Sequence, residues 1–159
     1  MKPKVYIETT VVSYLMAKPS RDAIAVARQV ITREWWSTER DHYELVISRL
    51  VIDEAGKGDR GAAQYRLDAL RDIPLLDFSQ KAQHLAMRFV TPGAIPEKAK
   101  DDAMHLALCT VHRIPYILTW NFRHIANPEH MRLLRNICQK TGSVFPEVCT
   151  PEQMMKGRL

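Results

Sequence analysis

Two adjacent carboxylates, Asp101 and Asp102, open the stretch KAKDDAMHLALCTVHRIPYILTWN (98–121), where acid chemistry and a helical pattern coincide. Ala99, Ala103, Leu106, Ala107 and Thr110 recur at three- and four-residue intervals and give one apolar face. On that helix Asp101 falls in line with His105, Leu108 and His112, a mostly polar stripe, and can reach His105 one turn on. Asp102 falls in line with Leu106 and Cys109, so it points toward the protein. The strand-like run Pro115–Thr119 follows, with Asn121 just past its end. A helix feeding a strand runs antiparallel to it, which brings Asp102 and Asn121 together.

Two more acids belong at the same edge. Glu8 ends the first strand candidate, and Asp53 and Glu54 sit in the helix that follows the second. Asp53 lies four residues after Arg49 and reads as a solvent-side ion pair, whereas Glu54 shares a face with Leu50 and Val51. In an open α/β sheet the functional edge lies at the carboxyl ends of the strands, so Glu8, Glu54, Asp102 and Asn121 converge from distant positions. Crowded carboxylates resist ionisation unless something positive lies among them. Hard oxygen ligands suit Mg²⁺ or Mn²⁺, which stabilise the charge that develops when water attacks a phosphodiester.

The elements that must position these groups read as strands alternating with helices. Strands are expected at Lys4–Glu8, Glu44–Ser48, Ile73–Phe78 and Pro115–Thr119, with an edge strand at Glu147–Cys149. Helices are expected at Thr10–Met16, from a Ser20 N-cap through Ile24, Ala27, Ile31 and Trp35, and at Arg49–Ala55. Others run from an Asp59 cap to Arg71, over Ser79–Val90, from the opening stretch, and over Pro128–Lys140. Gly56–Gly58 and Thr91–Pro96 are breaks, and Thr150-Pro-Glu-Gln153 fits a capping box. The order predicts a three-layer α/β/α sandwich with a mostly parallel central sheet, one domain over residues 1–159.

Composition narrows the classes. The chain of 159 residues is 46% hydrophobic and 26% charged, the balance of a soluble globular domain, with no apolar run long enough to span a bilayer. Its start faintly resembles a signal peptide, but Glu8 interrupts the apolar region. Cys109, Cys138 and Cys149, odd in number and far apart, point to a reducing cytoplasmic setting. The net charge of +5, with acids gathered in one pocket, leaves a basic surface suited to a polyanion. There is no Gly-rich nucleotide loop, no HExxH, no C-x-x-C and no zinc spacing for His105, His112, His124 or His130, which read as surface or supporting residues. Trp120 reads either as core or as a base-stacking surface, and Arg49 and Arg123 either meet phosphates or neutralise the acids.

The motifs VYIETTVVSYL, VISRLVIDEA, DDAMHLA and ILTWNF, in that order from Val5 onward, resemble the PIN-domain nucleases and, within them, the VapC-type toxins of toxin–antitoxin pairs. The resemblance implies Mg²⁺- or Mn²⁺-dependent cleavage of RNA by Glu8, Glu54, Asp102 and Asn121, with Thr9 and Thr119 at hydroxyl positions beside the acids. Asp101 is expected to support that site. It also implies an antitoxin partner and homodimerisation. Glu8 stands where the family usually has Asp, and Asn121 where it often has Asp. The alternative is therefore a catalytically weakened PIN-like module acting by RNA or protein binding.

Overall fold

A computed structural model describes residues 1–156. Five short strands form the sheet: β1 (Lys4–Ile7), β2 (Glu44–Ser48), β3 (Leu75–Leu76), β4 (Tyr116–Leu118) and β5 (Glu147–Cys149). Their order is β3-β2-β1-β4-β5 and every pairing is parallel. The sheet is thus wholly parallel where the sequence predicts a mostly parallel one. Val5, Tyr6 and Ile7 are all buried, as a central strand covered on both faces requires. The third strand shrinks from Ile73–Phe78 to two residues, since Pro74 cannot donate to the ladder.

The helices are α1 (Thr9–Met16), α2 (Ala23–Thr38), α3 (Arg49–Ala55), α4 (Arg60–Leu70), α5 (Gln80–Phe89), α6 (Lys100–Val111) and α7 (Pro128–Lys140). They flank the sheet in two packed groups, α1 against α2, α3 and α4, and α5 against α6 and α7. Asp59 caps α4 as its sequence position predicts, through Ala62 N at 3.0 Å. The capping box at Thr150 also forms, Thr150 N donating to Gln153 Oε1 and Gln153 N to Thr150 Oγ1.

Helix α2 differs from its pattern. Its cap is Asp22, which accepts from Ala25 N, while Ser20 Oγ accepts from Asp22 N just upstream. Its buried side carries Gln29, Thr32 and Trp35, leaving Ile24, Val26 and Val30 exposed. Polar residues turn inward here because partners await them: Gln29 Nε2 donates to Lys18 O, and Trp120 Nε1 donates to Thr32 Oγ1.

Helix α6 is buried on nearly every side, with Ala103, His105, Leu106, Ala107, Leu108, Cys109 and Thr110 all inside. Such a helix is held by packing rather than by an amphipathic stripe. Leu106→Ala is expected to destabilise the protein by about 2–5 kcal/mol. Urea denaturation with an unchanged m-value checks it.

Candidate active site

Strand order reverses at β1: the chain leaves it for β2 on one side, and β4 later returns on the other. Loops diverge at such a switch point, and a crevice opens beyond the strand ends. Glu8 stands there immediately after Ile7, anchored by its own N–H, which donates to Leu118 O at 3.1 Å. Glu54 comes from α3, Asp102 from the first turn of α6, and Asn121 follows β4.

Glu8 is only 3% exposed and is the N-cap of α1. Its Oε2 accepts from Thr10 N at 2.9 Å. Its Oε1 accepts from Thr10 Oγ1 at 2.6 Å and Thr119 Oγ1 at 2.5 Å. The same two hydroxyls then accept backbone donors, Trp120 N on Thr10 and Asn121 N on Thr119. One carboxylate thus fastens the start of α1 to the turn after β4. Burial pushes its pKa up, against the pull of His105 and the Thr10 and Thr119 donors.

Glu54 is half-buried. Its Oε1 accepts from Thr9 Oγ1 at 2.8 Å and meets His105 Nε2 at 2.6 Å. Asp53 points outward and pairs with Arg49 at 3.0 Å, as its spacing predicts. Asp102 is half-buried with its carboxyl pushed up by burial, an effect opposed by hydrogen bonding from the Asn121 side chain. The helix-to-strand argument therefore holds for that pair. Asn121 Oδ1 also accepts from His124 N, and Asn121 O from Ile125 and Ala126 N, which fixes the turn.

His105 takes the supporting role that the sequence allows, but Asp101 is not its partner. The histidine is fully buried, and Asp101, its expected partner, lies exposed. Its ring bridges Glu54 and Tyr6: Nε2 meets Glu54 Oε1, and Nδ1 lies 2.7 Å from Tyr6 OH. Tyr6 OH in turn lies 2.7 Å from Ser48 Oγ. A polar chain therefore runs Ser48–Tyr6–His105–Glu54–Thr9 through the core. Burial pushes the His105 pKa down, but the hydrogen bond to Glu54 and the charges of Glu8, Glu54 and Asp102 outweigh it and raise it. Burial likewise pushes Glu54 up, and His105 and Thr9 bring it down below its usual range. The signal for His105 was present in its neighbours: Leu106, Ala107, Leu108 and Cys109 wrap that helix in apolar residues, and a histidine there needs buried partners. His124 stands nearer the surface, its ring stacked on His130 at 6.0 Å and its Nδ1 buried without a hydrogen-bond partner among the described residues. Burial lowers its pKa, against the charge of Asp102.

The donors at this edge are carboxylate, amide and hydroxyl oxygens, the chemistry of a hard divalent cation. Among the described residues no three His, Cys, Asp or Glu side chains are spaced to hold an ion unaided. The fit is that of Mg²⁺-type binding, in which one or two carboxylates suffice and water and substrate phosphate supply the rest. Glu54 and Asp102 are the half-buried carboxylates that could take part in such a site.

Two measurements check this geometry. Thr119→Val removes a donor to a buried carboxylate and is expected to destabilise the protein by about 1.5–3 kcal/mol at pH 7 in urea denaturation. The second concerns pH. The raised pKa of His105 contributes stability that is complete below the ordinary imidazole value of about 6.5 and is lost as pH rises through the raised one. The depressed pKa of Glu54 contributes stability above the usual glutamate range that is lost as pH falls through the depressed one. His105→Gln should therefore cost most near pH 6, about 3–5 kcal/mol for a broken buried pair. The difference from wild type should shrink toward pH 9; a difference flat with pH would contradict the assignment.

No protein-family model matches the chain, and no curated protein matches it. Among solved structures the chain is similar to the crystal structure of VapBC2 from Rickettsia felis, bound to a DNA fragment from its promoter. The TM-score is 0.58 at 14% sequence identity, over 92% of this chain and 98% of that one. At that identity the likeness is one of fold, and the fold is the PIN-like α/β architecture that the motifs imply.

Proposed function

We propose that this protein is a metal-dependent ribonuclease of the VapC type, the toxin of a toxin–antitoxin pair acting in the cytoplasm. The observation that carries the reading is the gathering of Glu8, Glu54, Asp102 and Asn121 at the switch point of a PIN-like sheet. Mg²⁺ or Mn²⁺ would be held by Glu54 and Asp102, with Glu8 and Asn121 completing the site. When bound, the ion supplies a polarised water and stabilises charge on the phosphate under attack.

The chain's own residues prepare that site. His105 orients Glu54 by engaging Oε1, and Tyr6 fixes the ring from its other nitrogen. Thr9 holds the same oxygen. Asn121 ties Asp102 to the rigid turn after β4. The net charge of +5 favours association with a polyanion such as RNA.

An antitoxin partner is supported by likeness to a VapBC complex. The exposed Ile24, Val26 and Val30 of α2 offer apolar surface to a protein partner or a second copy. Among the described residues no helix is long and apolar enough to cross a membrane. The second reading, a PIN-like module that binds RNA or protein without efficient cleavage, draws on Glu8, whose carboxylate is committed to Thr10 and Thr119.

Cleavage of a mixed RNA substrate with added Mn²⁺ separates the two. Glu54→Gln and Asp102→Asn should reduce it to background. Asp53→Asn and Asp101→Asn should keep most of it, since Asp53 pairs with Arg49 and Asp101 faces solvent. Wild-type protein with no Mn²⁺-dependent cleavage would favour the binding module.

A further inference from the structure

The turn that carries Asn121 also carries two aromatic rings, and they have different fates. Trp120 is 6% exposed, its Nε1 bonded to Thr32, so it belongs to the core. Phe122, two residues on, is 46% exposed. Exposure of a single ring is ordinary at a protein surface; what sets Phe122 apart is the arginine and the two rings gathered beside it.

Its surroundings are ordered. Phe122 N donates to Trp120 O at 3.0 Å, and the rings of Trp120 and Phe122 lie 6.2 Å apart. Tyr14 meets Trp120 edge-on at the same separation. Arg28 lies over all three rings, 5.0 Å from the Phe122 centroid, 5.6 Å from Trp120 and 5.8 Å from Tyr14. Its Nη1 donates to Tyr14 OH at 3.1 Å, and no carboxylate pairs with it among the described residues. A guanidinium stacked on aromatic faces keeps its outward N–H donors for an anion, and phosphate is the anion its planar fork fits. An exposed ring beside a stacked arginine gives one surface for a base and one for a phosphate.

From this juxtaposition we infer that Phe122, backed by Arg28, is a stacking subsite for one unpaired base of an RNA strand whose backbone passes the Asp102–Asn121 edge. The subsite rests on the proposed ribonuclease reading for its substrate class, though not for its geometry. It requires an unstacked base, so it selects single-stranded RNA over duplex, in which every base face is already covered. Trp120 and Tyr14 do not touch the base; they hold Arg28 and the turn in place.

Binding in EDTA, read by fluorescence anisotropy of a labelled unstructured RNA oligonucleotide and of the same sequence in a duplex, tests this without cleavage. Phe122→Leu keeps an apolar side chain and removes the ring. It should weaken single-strand binding about tenfold, within the range of one base stack, and leave duplex binding unchanged. Arg28→Lys keeps the charge and loses the planar stack, and it should weaken the same binding. Thermal melts of both proteins confirm that the fold persists. Wild-type affinity in Phe122→Leu, an equal loss for duplex and single strand, or no single-strand binding by wild type would each overturn the inference. Phe122-dependent binding by a protein that does not cleave with Mn²⁺ would remove the nuclease reading and leave the subsite standing.

Discussion

The arrangement depends on a buried carboxylate that the fold cannot leave unpaired. Glu8 ends the central strand inside the protein, where an isolated charge would be costly. Three donors from Thr10 and Thr119 meet it, and those hydroxyls in turn order Trp120 and Asn121. Solvating this one group thus sets the start of α1 and the turn after β4, which are two walls of the crevice. The same carboxylate folds back onto the first turn of the helix as its cap.

His105 is the second constraint. It lies where the fields of Glu8, Glu54 and Asp102 overlap, and their pull raises its affinity for a proton despite full burial. The cluster therefore carries its own partial countercharge. Burial is the chief cause that pushes the carboxyls of Glu8 and Asp102 up, with the charge of Glu54 a lesser one at Asp102. A divalent cation at this edge would favour their charged forms, which ties the electrostatics of the site to the proposed chemistry.

Much of this was legible before the fold. Alternating strands and helices gave the α/β class, and helix spacing separated Glu54 from Asp53 because Arg49 lies one turn away. The pairing of Asp102 with Asn121 follows from a helix that returns into the next strand. His105 was legible as a supporting residue but not as a buried one, because a shared stripe with Asp101 and His112 suggests exposure, whereas α6 is enclosed on nearly every side. Periodicity reports which residues share a face; it does not report how many faces are covered. Gln29 and Thr32 turned inward for the same kind of reason, since their partners Lys18 and Trp120 belong to segments that local patterns do not link. The resemblance already set Thr119 beside the acids; that it joins Thr10 in clamping Glu8 is what local patterns do not show.

We propose that the acidic edge is a cation site. Backbone amide NMR with trace Mn²⁺ tests it most directly, because the ion broadens only nearby signals. The account predicts selective loss of the amides of Thr9, Glu54, Asp102 and Asn121, with that loss absent in Glu54→Gln. Broadening that is uniform over the surface, or centred on Asp53 and Asp101 with Asp102 untouched, would contradict it.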